Sequence, residues 1–144
     1  MLQQFVRLAA AAPDAPAVID GESGSITTRS ALLARAGELS NHLRDSGLRA
    51  GDLVAIQLPN SVDFVAAFLA VTKERLVAVP IDRDAPETEV AAILSHFAVR
   101  ALIYRSGTTQ ISTRAVRERA AVPANARLIK LTSGSTGKPK GIVT

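Results

Sequence analysis

The chain has 144 residues, 47% hydrophobic and 21% charged, with no cysteine, no tryptophan and a formal net charge of +4. That length suits one ordinary domain with a real core, and the missing cysteine excludes disulfides, thiolate catalysis and cysteine-held metals. The charge is uneven: residues 1–96 carry 8 Lys/Arg against 12 Asp/Glu, net −4, whereas residues 97–144 carry 9 against the single Glu118, net +8. A basic final third suits a polyanion, whether nucleotide phosphate, nucleic acid or an anionic surface, or else an acidic surface elsewhere in a longer protein.

Near the start, the apolar run Leu8 to Ala12 is too short and too alanine-rich for a signal-peptide core, and Pro13-Asp14 interrupts it. No stretch approaches the roughly 20 apolar residues of a membrane span, so a cytoplasmic location is expected. Ala17 to Ile19 and Ser25 to Thr28 read as a small hairpin around Gly21 and Gly24. Thr27 or Thr28 can then cap a helix from about Arg29 to Ser46, with Leu32, Ala36, Leu39 and Leu43 in one stripe and Gly47 as its left-handed stop. Pro59-Asn60 opens a second helix, with Asn60 as the cap and apolar residues nearly all round. Asp84 and Glu87 stand at capping-box spacing before the stripe Val90, Ile93, Leu94 and Phe97. A further helix is expected from Ser112 to Ala121.

Between these lie apolar, β-branched runs at 53–58, 76–81, 99–104 and 127–131, whose starts are 23, 23 and 28 residues apart. That leaves room for a helix and two loops between successive parallel strands, and continuous runs are what strands covered on both faces require. The fold expected is α/β, a mainly parallel sheet with helices on both faces.

The chemistry lies at the end, where residues 131–141 read Leu-Thr-Ser-Gly-Ser-Thr-Gly-Lys-Pro-Lys-Gly after an expected strand. Gly134 and Gly137 let the backbone approach a ligand and turn N–H groups inward. Thr132, Ser133, Ser135 and Thr136 offer rotatable hydroxyl donors. Lys138 and Lys140 supply positive charge, and Pro139 stiffens the loop between them. Together they make a cradle for polyphosphate. The spacing is not that of a Walker A loop, since the fifth residue after Gly134 is Pro139 rather than glycine.

This motif resembles the phosphate-binding loop of the adenylate-forming superfamily, which includes acyl-CoA synthetases, luciferase and nonribosomal peptide synthetase adenylation domains. Further segments in the same order support the resemblance: Ala12-Pro-Asp-Ala-Pro-Ala-Val18, Gly47-Leu-Arg-Ala-Gly-Asp-Leu-Val-Ala55, Leu58-Pro-Asn-Ser61 and Ala78-Val-Pro-Ile-Asp82. The chain departs from the family at Thr28, where tyrosine is usual, and at Glu74-Arg75-Leu76, which replaces a segment with a helix-ending glycine. Only 26 residues separate Tyr104 from Leu131, a shorter connection than most members have.

The resemblance implies an AMP-forming acid–thiol ligase. A carboxylic acid attacks the α-phosphate of ATP, used with Mg2+, to give an acyl-adenylate and pyrophosphate; the thiol of CoA or of a carrier protein then takes the acyl group. Residues 1–144 would be a partial N-terminal AMP-binding domain: a small hairpin 17–28, βα units 29–126, and a strand-loop-strand unit 127–144. The role of holding the β- and γ-phosphates falls to Thr132, Ser133, Gly134, Ser135, Thr136, Gly137, Lys138 and Lys140. Catalytic residues and Mg2+ ligands are expected in the remainder of the enzyme beyond Thr144, so the 144 residues alone are expected to be inactive. The alternatives are a non-catalytic phosphate-binding remnant or regulatory domain, and a nucleic-acid-binding module. The last lacks the aromatic residues that stacking needs. His42 and His96 have no second ligand at metal spacing, Asp82 and Asp84 suit turn and cap duties, and Arg114, Arg117 and Arg119 read as a solvated face or a polyanion contact.

Overall fold

Where apolar β-branched residues run without a polar break, the chain forms strands that are covered on both sides. The computed structural model describes residues 2–132 and 139–144. Its elements are α1 (Leu2–Ala11), β1 (Pro16–Ile19), β2 (Ile26–Thr28), α2 (Arg29–Asp45), β3 (Leu53–Gln57), α3 (Val62–Lys73), β4 (Val77–Pro80), α4 (Glu87–His96), β5 (Ala101–Ser106), β6 (Thr108–Thr113), β7 (Ile129–Thr132) and β8 (Lys140–Val143). The central sheet has the order β4-β3-β5-β6. Strand β3 runs parallel to both β4 and β5, and β6 returns antiparallel to β5. The expected α/β architecture is the one found.

Alternation along β3 assigns the two faces. Val54 and Ile56 join Ala67, Ala70 and Val71 of α3 in one core. Leu53 and Ala55 join Val90 and Ile93 of α4 in another. Helices therefore cover both faces, which is why the strand sequence is apolar at consecutive positions. A third cluster, built from Leu32 and Ala36 of α2 with Ala66 and Leu69 of α3, glues the helices on one side, and Leu2 and Phe5 of α1 pack against it.

Several local expectations hold in detail. The Thr28 side chain accepts the Ala31 N–H at 3.2 Å and caps α2, and Gly47 beyond its end has φ +71°. Strands β1 and β2 pair antiparallel, with Gly24 (φ +70°) in their connection. Others fail for identifiable reasons. Asn60 does not cap α3: Ser61 takes the cap position, and its hydroxyl bonds back to the Pro59 carbonyl at 3.1 Å. The Asp84–Glu87 capping box does not form. The Asp84 N–H donates to Asp82 Oδ1 at 2.9 Å, and Pro86, which has no side-chain oxygen, occupies the cap of α4.

The helix expected at 112–121 is absent. Thr108–Thr113 instead forms β6, folded back on β5 around Gly107 (φ +70°), and residues 114–128 follow as a strap with no regular helix. Helix α1 has no counterpart among the elements that the sequence predicts.

The corner after α3 shows what replaced the helix-ending glycine. Arg75 has φ 58°, and its carbonyl accepts the Gly51 N–H at 2.9 Å, so the left-handed turn persists without glycine. A side chain in that region is strained by roughly 1–2 kcal/mol, partly offset by its smaller unfolded-state entropy. Arg75→Gly is therefore expected to raise stability by about 0.5–1 kcal/mol in urea unfolding. A neutral or negative change would show that other contacts of Arg75 outweigh the strain. Next to it, Glu74 ties α2 to α3 by accepting hydrogen bonds from Ser40 Oγ and from Arg44 Nη2 at 2.8 Å. The Arg44 bond is the main cause holding the Glu74 carboxyl below the usual range.

Candidate functional site

Strands β7 and β8 pair antiparallel in the register Ile129↔Val143, Lys130↔Ile142, Leu131↔Gly141 and Thr132↔Lys140. Beyond the last pair, seven residues connect the strands. Six of them, Ser133 to Lys138, lie outside the described residues, so the roles expected of Ser133, Gly134, Ser135, Thr136, Gly137 and Lys138 rest on the sequence. The other two assigned residues, Thr132 and Lys140, stand opposite one another at the mouth of the hairpin. Thr132 Oγ1 lies 3.4 Å from the Lys140 carbonyl oxygen.

The hairpin is anchored at its other end. Leu128 forms a parallel bridge with Ala78 of β4, and the Ala78 N–H donates to the Arg127 carbonyl at 3.0 Å. The Thr144 carbonyl accepts from both Arg127 and Leu128, which carries the pairing beyond β8. Ile129 is buried in the α4-side core, with Leu131 packed against it. Alternation then places Lys130 and Thr132 of β7 on the outward face together with Lys140 and Ile142 of β8. Lys130 thus joins the cationic face leading to the loop. Sequence reasoning missed it, although strand parity offered the signal. Gly141 is demanded by space: a Cβ there would meet Ile129 Cγ2 at 2.7 Å and Phe97 Cε1 at 3.0 Å.

Chemically, the described part of this site offers a hydroxyl and two ammonium groups on one face. Lysine ammoniums only donate hydrogen bonds and are not metal ligands, so the set suits phosphate oxygens rather than a metal ion. Among the described residues, no three His, Asp or Glu are grouped so as to hold a metal ion. His96 packs edge-on to Phe97, with ring centroids 4.8 Å apart. Asp82 serves the turn before α4. Of the basic residues in the strap, Arg119 bonds to Asp52 Oδ1 at 2.9 Å and Arg114 Nη2 lies 3.5 Å from Ser95 Oγ. Neither belongs to a helical solvated face. Among the described residues no helix is long and apolar enough to cross a membrane.

Comparison with known proteins adds independent information. The profile of the family described as AMP-binding enzyme matches residues 5–127, stopping short of the loop motif. Phenyloxazoline synthase MbtB of Mycobacterium sp. (strain MCS) is 33% identical over an alignment of 153 positions, gaps included, that covers 96% of this chain and 13% of that protein. The N-terminal subdomain of Klebsiella oxytoca NpsA, solved in complex with 3-hydroxyanthranilyl-AMSN, superposes with a TM-score of 0.78 at 28% identity. The alignment covers 99% of this chain and 39% of that one. A Mycobacterium tuberculosis fatty acyl CoA synthetase gives a TM-score of 0.75 at 26% identity, covering 99% of this chain and 34% of its own. The chain thus spans well under half the length of each of these relatives.

Proposed function

Since the chain belongs to the AMP-binding enzyme family, we propose that it supplies the triphosphate-gripping part of an ATP-dependent, carboxylate-activating ligase of its relatives' length. The observation that carries this reading is the hairpin 127–144, whose outward face gathers Lys130, Thr132 and Lys140, with the Ser/Thr/Gly/Lys motif in the sequence between its two strands. In the reaction, a carboxylate oxygen of a small acid attacks the α-phosphorus of ATP. The bond to the bridging oxygen of the β-phosphate breaks, and pyrophosphate departs. Negative charge grows on that leaving group, where loop N–H groups, the hydroxyls of Thr132 and Ser135, and the charges of Lys138 and Lys140 would act. Mg2+ enters with the nucleotide, and its protein ligands are assigned outside these 144 residues. The thiol of CoA or of a carrier protein then attacks the acyl carbonyl, the bond to the adenylate oxygen breaks, and AMP leaves to complete the cycle. The units 17–28, 29–126 and 127–144 together form part of the nucleotide-binding domain in this reading.

Carboxylate-dependent ATP–pyrophosphate exchange tests it. The 144 residues alone are expected to give no exchange above a no-protein control with fatty, aryl and amino acids, and a polypeptide extended to its relatives' length is expected to exchange with one of them. Exchange by the 144 residues alone would refute this division of labour. Silence of the longer polypeptide across the panel would favour phosphate binding without catalysis.

A further inference from the structure

Lys130 carries a charge that the loop motif does not include. It sits in the middle of β7, opposite Ile142 in the hairpin register, while Thr132 stands opposite Lys140. Residues two apart on a strand share a face, so these four form a two-by-two patch on the outward side. Lys130 is therefore one strand step below the mouth of the hairpin, roughly 7 Å along β7 from Thr132. It is also the diagonal neighbour of Lys140, with Cβ atoms about 7–8 Å apart.

Both lysines are exposed. The ion pairs among the described residues all involve arginine, so neither ammonium is committed to a carboxylate. Residues 127–144 contain no Asp or Glu at all. Two like charges thus share one small face with no acid to offset them, an arrangement that an anion reaching both would relieve. A lysine on an exposed ribbon also discourages pairing with another chain, but an acidic residue does that equally well.

The spacing bears on which anion suits the patch. Lysine is a point charge on a long flexible stem, and three donors rotate about its tip. Two such stems, rooted on a diagonal and repelling one another, gain most from a ligand with charge at both ends. A single phosphate is short for that span. A chain of phosphates presents charged oxygens along its length.

Building on the phosphate role proposed for the neighbouring loop, we propose that Lys130 is a further phosphate-contacting residue. With Lys140 it makes the hairpin select a phosphate chain over a single phosphate. Calorimetric titration of the 144-residue chain with tripolyphosphate and with orthophosphate tests this. Tripolyphosphate should bind the more tightly, and less so as salt rises. Lys130→Ala should weaken it roughly 5-fold, Lys130→Gln equally, and Lys130→Arg by less than about twofold, as expected of an exposed charge contact. Lys130→Glu keeps a charge on the ribbon and should weaken it most. Orthophosphate affinity should change by less than about twofold in Lys130→Ala. Arg117→Ala, an exposed cation of the strap, should leave tripolyphosphate binding unchanged. If Lys140→Ala weakens binding while Lys130→Ala and Lys130→Gln do not, the inference falls and the loop reading stands. Equal losses for both ligands would overturn the selectivity, and an equal effect of Arg117→Ala would reduce Lys130 to bulk charge. No binding of tripolyphosphate by the unaltered chain would overturn the loop reading and the inference together.

Discussion

Lys140→Ala combined with Ser135→Ala, in a polypeptide of its relatives' length, is expected to slow adenylate formation by roughly 10²-fold or more, because hydrogen bonds to charged groups contribute about 1.5–3 kcal/mol each. Lys140 stands at the mouth of the hairpin, across from Thr132. Loss of its ammonium removes charge from where departing pyrophosphate would develop it. The acyl-adenylate carries no pyrophosphate, so thioester formation from added acyl-adenylate should barely change. Two rates therefore decide the matter. A purely structural role for the hairpin would lower both together, along with the melting temperature. An unaltered first rate would remove these two residues from the phosphate chemistry.

Asp52→Ala is expected to cost about 3 kcal/mol, since breaking a buried ion pair strands the partner charge. Arg119, Arg100 and the Arg49 N–H all face this carboxylate. The partners keep partial contact with water, with side chains 40% and 24% exposed, which places the loss at the lower end of the range for buried pairs. The melting temperature should fall by roughly 10 °C. Because Arg119 pins the strap, trypsin should also cut at Arg117 and Arg119 faster in the variant. Asp52→Asn retains an acceptor for the Arg49 N–H and should lose less. A melting temperature within about 2 °C of wild type for Asp52→Ala, below what 1 kcal/mol produces, would mean that the cluster is no more than a surface ion pair.

The central strands were legible because burial on both faces leaves an unbroken apolar record, as in Leu53–Gln57. The start of α2 was legible because Thr28 caps it locally. What escaped was governed by distant partners or by weak local signals. Residues 114–121 carry the Arg/Ala composition of a helix, yet Arg119 is drawn to Asp52, far away in sequence, while Ala120 and Val122 pack on the α4-side core. Strand β6 alternates only in burial, with Thr109 and Ile111 half-buried and Gly107 at its turn, while its sequence is polar but for Ile111 and so carries a weak strand signal. Helix α1 is short and alanine-rich, and only Ala9 is fully buried, so its periodicity was faint. At the candidate site, residue types gave the phosphate roles proposed for Thr132 and Lys140. The place of Lys130 on the same face needed strand register.

Gly141 closes the Lys-Pro-Lys-Gly run that reads as a ligand-gripping signature, but its neighbours are Ile129 and Phe97. The three residues come from β8, β7 and the end of α4, and they share one small volume. A methyl group gained at 141 must be matched by volume given up at 97 or 129. These positions should therefore vary together among homologues, a bulkier residue at 141 appearing only where the ring at 97 or the branched chain at 129 has shrunk. The last position of the motif is thus tied by packing to the residue that caps α4. An alignment scored for loop function alone would mistake a packing constraint for a catalytic one.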